Sequence, residues 1–155
     1  MFTAPNENNC PVFAAKDIKD FYFDNCPKIL PQTNNSLFSQ TRKAIKALSR
    51  PKYDRKYLRE VVKEDLGETK LHQTLTNIAI PTFDIKTPQP TIFSTYEVNY
   101  KPTLDALLSD ICIATSAAPT YLSAHSFKIK DPTGTVREFN LIDGGVVANN
   151  LLFQF

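Results

Sequence analysis

The stretch "YDRKYLREVVKEDLG" has the clearest helical pattern in the chain. Its apolar residues recur at the spacing that places them on one face of an amphipathic helix: Tyr57, Leu58, Val61, Val62 and Leu66. Asp54 precedes the pattern as a candidate N-cap, and Gly67 follows it as a C-terminal stop. The pattern predicts a helix with one face buried against a core.

Two later runs have the composition of β-strands. "LTNIAIPTFDI" and "PTIFSTYEV" are rich in Ile, Phe, Thr and Val, and "KTPQP" separates them. Because the first run is nearly continuously apolar, it predicts a strand covered on both faces, as in a mainly parallel sheet. "HSFKIKDPTGTVREFNLIDGG" predicts a hairpin that turns at "DPTG" and whose second strand leads into Asp143.

Two further helices are predicted from mixed apolar patterns. A short helix starts near Asp17 and is expected to end before Pro27 and Pro31. A second helix is capped by Thr103 and disturbed or ended by Pro119, with apolar residues at helical spacing: Leu104, Leu107, Leu108 and Ile111. This order of helices and strands predicts an α/β fold.

Composition narrows the class of protein. The chain is 42% hydrophobic and 22% charged, which is typical of globular proteins. None of its apolar runs approaches the roughly 20 residues needed to span a bilayer. "MFTAPNENNCPVF" lacks the pattern of a secretory signal, so we expect a cytoplasmic location. The wide spacing of the three cysteines, Cys10, Cys26 and Cys112, predicts free thiols rather than disulfides or a zinc site.

Residues 42–70 are unusually basic, with ten Lys or Arg against five Asp or Glu. A basic face attracts phosphate head groups or nucleic acid. Acidic residues are mixed into this stretch, however, and it lacks the pattern of a base-stacking platform. We therefore favour a solvated helix surface and do not expect a nucleic-acid partner.

The stretch "FNLIDGGVVANN" places an acid directly after a predicted strand. Asp143 would lie at the carboxyl end of that strand, where open α/β sheets place their ligand sites. Gly144 and Gly145 carry no side chains, so a second group or a substrate has room to approach the carboxylate. On composition alone, "DGG" more often forms a plain turn between a strand and a loop.

Four blocks occur together and in order: "TAPNENNCPVFAAKDIKDFY", "NIAIPTFDIKTPQPTIFST", "ICIATSAAPTYLSAHSF" and "FNLIDGGVVANN". With them, the chain closely resembles the plant patatin-like lipid acyl hydrolases over nearly all of residues 1–150. The resemblance implies an α/β fold, a partial patatin-type three-layer sheet flanked by helices with its initial strands missing. It also implies a partial patatin-like phospholipase domain over residues 1–150 and a divergent end, "LLFQF", over residues 151–155.

The resemblance implies hydrolysis of acyl esters of phospholipids and galactolipids without a cofactor or a metal. Asp143 would be the acidic member of a Ser-Asp dyad, with Gly144 and Gly145 as the motif glycines beside it. A partly desolvated carboxylate within about 3.2 Å of a serine hydroxyl can take its proton. The serine then attacks the ester and passes the acyl group to water. The expected partner is a lipid substrate or the membrane that carries it, which would place the protein peripherally at membranes.

The chain departs from the family pattern at the nucleophile. None of its four glycines flanks a serine, so it has no G-x-S-x-G elbow. It also lacks the family's glycine-rich oxyanion loop. Met1 therefore resembles an internal methionine of a longer enzyme, and we predict that the chain alone is inactive. Ser116 in "ATSAA" is a weak candidate nucleophile, because its alanine neighbours resist positive φ angles.

Two other expectations follow. His72 and His125 lie 53 residues apart, which favours structural roles over a catalytic triad or a metal site. The alternative function is a noncatalytic lipid-surface or partner-binding remnant that uses residues 42–70. We further expect that a chain without the initial strands exposes the unpaired edge of its first strand and folds poorly.

Overall fold

The computed structural model describes residues 3–31, 51–131 and 133–146. These ranges contain four α-helices, namely α1 (Ile18–Ile29), α2 (Lys56–Leu66), α3 (Thr95–Val98) and α4 (Leu108–Thr115). They also contain four short 3-10 turns, at Ala15–Asp17, Leu71–Gln73, Pro102–Leu104 and Gly144–Val146. The strands are β1 (Ala79–Asp84), β2 (Gln89–Ser94), β3 (His125–Lys130) and β4 (Val136–Asp143). The predicted α/β class is confirmed.

The described strands form one sheet in the order β2-β1-β4-β3. Every neighbouring pair is antiparallel, with Thr82 of β1 opposite Thr91 of β2 on one side and Asp143 of β4 on the other. The expectation of a mainly parallel sheet is therefore wrong for these strands. A short turn joins β1 to β2, and such a turn permits only antiparallel pairing. The apolar run in β1 reflects its central position, with both neighbours paired and both faces partly covered.

The central position of β1 also corrects the expectation of an exposed first-strand edge. Strands β2 and β3 form the two edges of the described sheet. Although they lie at opposite edges, the ring of Phe93 on β2 is 6.2 Å from that of Phe127 on β3. Both rings also contact Phe139 of β4, at 5.5 and 5.1 Å. The three rings thus form one aromatic cluster that joins β2, β4 and β3.

Helix α2 confirms the amphipathic prediction. Its buried residues are Leu58, Val62 and Leu66, and they face α4, which in turn contacts β1, β3 and β4. The N-cap is Arg55, one residue after the predicted Asp54. The carboxylate of Asp54 still accepts a hydrogen bond of 2.9 Å from the backbone N–H of Lys56, and Gly67 ends the helix with a φ of +50°. Local capping and one apolar stripe are sufficient to define this helix.

Helix α1 differs from the prediction because it continues through Pro27 and ends at Ile29. Proline lacks the N–H that would donate to the carbonyl four residues earlier, so the helix forgoes one hydrogen bond at Pro27 and continues for only two further residues. The backbone N–H of Leu30 donates to the carbonyl of Cys26 at 2.8 Å and completes the last turn. No residue of α1 is fully buried.

Helix α4 begins at Leu108, five residues after the predicted cap Thr103. The intervening backbone pairs with a distant segment, since Leu71 N–H donates to Ala106 O at 3.0 Å. Leu108 N–H donates to the carbonyl of Thr69 at 2.8 Å in the same ladder. Thr103 itself lies in the separate 3-10 turn Pro102–Leu104, and these long-range bonds hold the backbone at residues 106–108 against another segment. The apolar spacing alone therefore placed the helix start too early.

The three cysteines are free, as predicted. Among the described residues, no helix combines the length and the apolar character needed to cross a membrane. The basic stretch lies partly outside the described residues, which begin again at residue 51. Within the described part, Arg55 is partly buried and its guanidinium donates to the backbone carbonyls of Ser123 and Ala124. At least this cation has a structural role.

Candidate active site

Asp143 is the last residue of β4, as the sequence predicts. On one side it lies opposite Thr82 of the central strand β1. Its backbone N–H also donates to the carbonyl of Ala117, in the loop after α4, at 3.1 Å. The sheet and the end of α4 thus hold the main chain of this residue from two directions.

The carboxylate of Asp143 is partly buried. Its Oδ1 atom accepts a 2.8 Å hydrogen bond from the backbone N–H of Gly145, which closes a tight turn after the strand. Within residues 3–31, 51–131 and 133–146, no hydroxyl hydrogen-bonds to this carboxylate. The turn thus fixes one oxygen, while the other has no hydrogen-bond partner in the described part of the chain.

Gly144 is buried against the backbone of Pro81 in β1. A Cβ atom at Gly144 would lie 2.5 Å from both the carbonyl carbon and the carbonyl oxygen of Pro81. The same oxygen accepts a 2.9 Å hydrogen bond from the hydroxyl of Thr115 at the end of α4. We expected the missing side chain to make room for a second group or a substrate, but at Gly144 this space is filled by β1. The glycine lets the turn beside Asp143 pack directly on the sheet.

Ser116 directly precedes Ala117, the residue that bonds to the backbone of Asp143, and it has a right-handed helical backbone conformation. It is the C-cap of α4, with φ of −88° and ψ of −5°, and its N–H donates to the carbonyl of Cys112 at 3.2 Å. Its neighbour Ala117 contacts the backbone of Asp143. The structure gives no hydrogen bond from the Ser116 hydroxyl to that carboxylate.

Both histidines hydrogen-bond to a carboxylate other than that of Asp143. The ring of His125 is only 1% exposed, and its Nε2 lies 2.8 Å from Oδ1 of Asp110 in α4. The ring of His72 is exposed, and its Nδ1 lies 2.9 Å from Oδ2 of Asp105. Hydrogen bonding is thus confirmed for both rings, and their structural role stays a prediction. No group of three or more His, Cys, Asp or Glu suited to a metal ion occurs among the described residues.

An apolar groove of about 570 Å³ lies along α1; Thr115, Ser116 and Ala118 line it, whereas Asp143 does not. Helix α1 forms one wall, and α2 and the end of α4 form the other, with Leu30, Leu58, Cys112 and Ser116 among the lining residues. Sequence reasoning missed the groove, because its walls come from segments far apart in the chain. The only sequence signal was the set of small residues after α4.

Comparison with known proteins identifies the family of this chain. The family model for patatin-like phospholipases matches residues 9–155. Patatin-like protein 2 of Arabidopsis thaliana is 60% identical over 150 residues, which are 97% of this chain and 37% of the relative. Patatin-like protein 2 of Oryza sativa subsp. indica is 55% identical over the same shares of both chains. Patatin-03 of Solanum tuberosum is 48% identical over 146 residues, 94% of this chain and 35% of the relative.

The chain belongs to the patatin-like phospholipase family. It spans just over a third of the length of the curated relatives that it matches.

Proposed function

We propose that this chain supplies the general base of a serine-type lipid acyl hydrolase. The observation that carries the proposal is the fixed position of Asp143 at the end of β4, with one carboxylate oxygen held by Gly145 and the other without a described partner. Membership of a phospholipase family supports an acyl-ester substrate, from phospholipids or galactolipids.

The proposed reaction needs only one proton acceptor from this chain. The oxygen of Asp143 that Gly145 does not engage takes the proton of a serine hydroxyl, while the serine oxygen attacks the ester carbonyl carbon. The alcohol part of the lipid leaves and an acyl-enzyme forms. Water activated by the same carboxylate then releases the fatty acid. A carboxylate whose main chain is held on two sides keeps its position through both steps.

The proposal assigns the serine to a segment other than residues 1–155, because no G-x-S-x-G elbow occurs here. Loss of a catalytic serine lowers turnover by on the order of 10⁶ in well-studied hydrolases. The purified 155-residue chain should therefore release no fatty acid from a phospholipid or a p-nitrophenyl ester above the buffer rate. Clear release that Asp143→Asn abolishes would place a nucleophile within this chain and overturn the assignment.

A chimera tests the role of Asp143 directly. Residues 1–150 of this chain replace the matching segment of the Arabidopsis Patatin-like protein 2, and fatty-acid release from phosphatidylcholine is measured. We expect release by the chimera, and a loss on the order of 10⁴ in kcat on Asp143→Asn with little change in KM. The matched control is Asp24→Asn, which removes an exposed carboxylate on α1.

The unaltered Arabidopsis protein is the positive control, and thermal unfolding of each chimera shows that it is folded. If Asp143→Asn leaves a folded chimera within tenfold of its parent, the carboxylate is not the base. If Asp24→Asn is as damaging as Asp143→Asn, the loss reflects general sensitivity of the chimera rather than chemistry at Asp143.

A noncatalytic lipid-binding role is the second candidate function. Three exposed cations follow one another at helical spacing along α2, namely Lys56, Arg59 and Lys63. Such a row attracts anionic head groups, and the attraction weakens with salt. This role predicts salt-sensitive sedimentation of the chain with phosphatidylserine vesicles that survives Asp143→Asn and is lost when the three cations are replaced by Gln. Peripheral membrane association would follow from this role. Equal sedimentation with neutral vesicles would argue against it.

A further inference from the structure

A buried histidine joins helix α4 to the sheet. The ring of His125, the first residue of β3, is only 1% exposed, and its Nε2 lies 2.8 Å from Oδ1 of Asp110 in α4. Because an ionised carboxylate accepts hydrogen bonds but does not donate them, the imidazole carries a proton on Nε2 and donates it to Asp110. The other ring nitrogen, Nδ1, is buried and has no hydrogen-bond partner in the described part of the chain. The orientation of this ring therefore depends on Asp110.

The backbone around His125 is fixed independently of α4. Directly before it, the guanidinium of Arg55 donates to the carbonyls of the two preceding residues. Within the sheet, His125 lies opposite Leu141 of β4, at one end of a ladder of six paired positions. The imidazole is thus a fixed point on the sheet, and the hydrogen bond to Asp110 holds α4 against that point.

The other end of α4 holds the candidate base. The hydroxyl of Thr115 donates to the carbonyl of Pro81 in β1 at 2.9 Å. Two residues later, the carbonyl of Ala117 accepts the 3.1 Å hydrogen bond from the N–H of Asp143. Asp110 precedes Thr115 by five residues, which is about 7.5 Å along the helix axis. Bonds at both ends of so short a helix fix its angle on the sheet, whereas bonds at one end alone leave that angle free.

The position of His125 separates it from the chemistry itself. Its ring is closed to a substrate, and its hydrogen bond goes to Asp110 rather than to the carboxylate of Asp143. An influence of His125 on the reaction must therefore pass through α4 and Ala117. Such a residue positions the base and is not itself a catalytic group.

We propose that the Asp110–His125 pair positions the general base, because it holds α4 on the sheet and α4 holds the main chain of Asp143 through Ala117. The effect on catalysis rests on the proposed hydrolase function, but the positioning of the Asp143 main chain does not. Displacement of a catalytic group by about 1 Å lowers a rate by up to the order of a hundredfold. Loss of the pair should therefore affect turnover more than substrate binding.

Three variants separate this role from general stability. His125→Phe removes the hydrogen bond but keeps a buried ring, and His125→Gln keeps a side-chain N–H that can donate to Asp110. The matched control is His72→Phe, which removes the other His–Asp pair, with 2.9 Å between Nδ1 of His72 and Oδ2 of Asp105. Both residues of the control pair lie outside α4 and the described strands.

Hydrogen exchange at the Asp143 amide measures the positioning without hydrolysis. In the 155-residue chain, we expect His125→Phe to speed exchange of this N–H at least about tenfold relative to the amides of the β1–β2 ladder. Asp110→Ala removes the same bond from the helix side and should have the same effect, whereas His125→Gln and His72→Phe should change the ratio by less than about threefold. An unchanged ratio in a folded removal variant would overturn the proposal. If neither removal variant folds, the pair stabilises the whole domain rather than the site, and the proposal is wrong.

The same variants in the Arabidopsis chimera test the effect on catalysis. We expect His125→Phe to lower kcat on phosphatidylcholine at least about tenfold with KM changed less than about threefold, and His125→Gln to keep kcat within about threefold of the parent chimera. A purely structural role predicts a lower Tm with kcat unchanged at temperatures well below Tm, and that result would contradict the proposal. If the parent chimera itself is inactive, the hydrolase function fails, whereas the exchange measurement still decides whether the pair positions Asp143.

Discussion

Replacement of Gly144 by alanine is the most informative perturbation of the site's architecture. The added Cβ atom would lie 2.5 Å from the carbonyl carbon and oxygen of Pro81 and 2.7 Å from its Cβ. Ordinary contacts of this kind begin at about 3.4 Å, so the two backbones must separate by about 0.9 Å, the difference between these distances. Pro81 cannot yield easily, because the central strand β1 is paired on both sides.

The structure sets the size of the effect. Overpacking of this kind destabilises by about 1–3 kcal/mol. Separation of the backbones also strains the 2.9 Å hydrogen bond from Thr115 to the Pro81 carbonyl, which contributes about 1 kcal/mol. We expect Gly144→Ala to lower the free energy of unfolding by about 2–4 kcal/mol, which corresponds to a fall in Tm on the order of 10 °C for a chain of this size.

Urea unfolding followed by circular dichroism measures this loss. The comparison variant is Gly67→Ala, where no atom lies within 4 Å of the added Cβ and the loss comes from the backbone alone. Its φ of +50° and ψ of −132° are a conformation open essentially to glycine, so we expect a strain of about 1–3 kcal/mol. A loss of less than about 1 kcal/mol on Gly144→Ala would contradict the predicted clash with the Pro81 backbone. The same clash predicts that Pro81→Gly fails to rescue the alanine variant, because the closest atoms belong to the Pro81 backbone.

Three further predictions follow from other contacts. Arg55→Met should lower the free energy of unfolding by about 2 kcal/mol, because the Arg55 guanidinium donates to two backbone carbonyls. Arg59 is exposed, so Arg59→Met should change the free energy of unfolding by less than about 0.5 kcal/mol in the same urea assay. Hydrogen bonds from Thr133 and its neighbours lower the pKa of Asp131. Its contribution to stability is therefore present above about pH 4 and is lost as the pH falls through the lowered pKa. Asp131→Asn should weaken this acid dependence of the melting temperature in thermal melts from pH 5 to 2. Burial raises the pKa of the Cys112 thiol. At pH 8 Cys112 should therefore react with a disulfide reagent at least tenfold more slowly than the exposed Cys10. Similar reaction rates of the two thiols would contradict the burial of Cys112.

Local patterns in the sequence predict local structure well in this chain. The apolar stripe and capping residues of α2 depend on neighbours within one helix, and the β3–β4 hairpin depends on its turn. The position of Asp143 at a strand end follows from the same kind of signal. Each of these predictions needs only residues that are close together in the chain.

The predictions that were wrong depend on distant contacts. Strand β1 appeared in the sequence as a strand of a parallel sheet, because continuous apolar character reports burial on both faces and not the direction of the neighbours. The start of α4 was placed too early because Thr103 lies in a separate 3-10 turn and the backbone at Ala106 and Leu108 is bonded to residues 71 and 69. The contact between Gly144 and Pro81, and the groove beside α1, likewise join segments that no local pattern connects.

The central claim is that Asp143 activates a serine supplied by another segment. The most direct test is the rate at which a fluorophosphonate, which modifies activated serines, labels the Arabidopsis chimera. We predict rapid labelling of the chimera, labelling at least a thousandfold slower after Asp143→Asn, and none of the 155-residue chain alone. Equal labelling rates with and without the carboxylate would contradict the claim, as would labelling of a serine within residues 1–155.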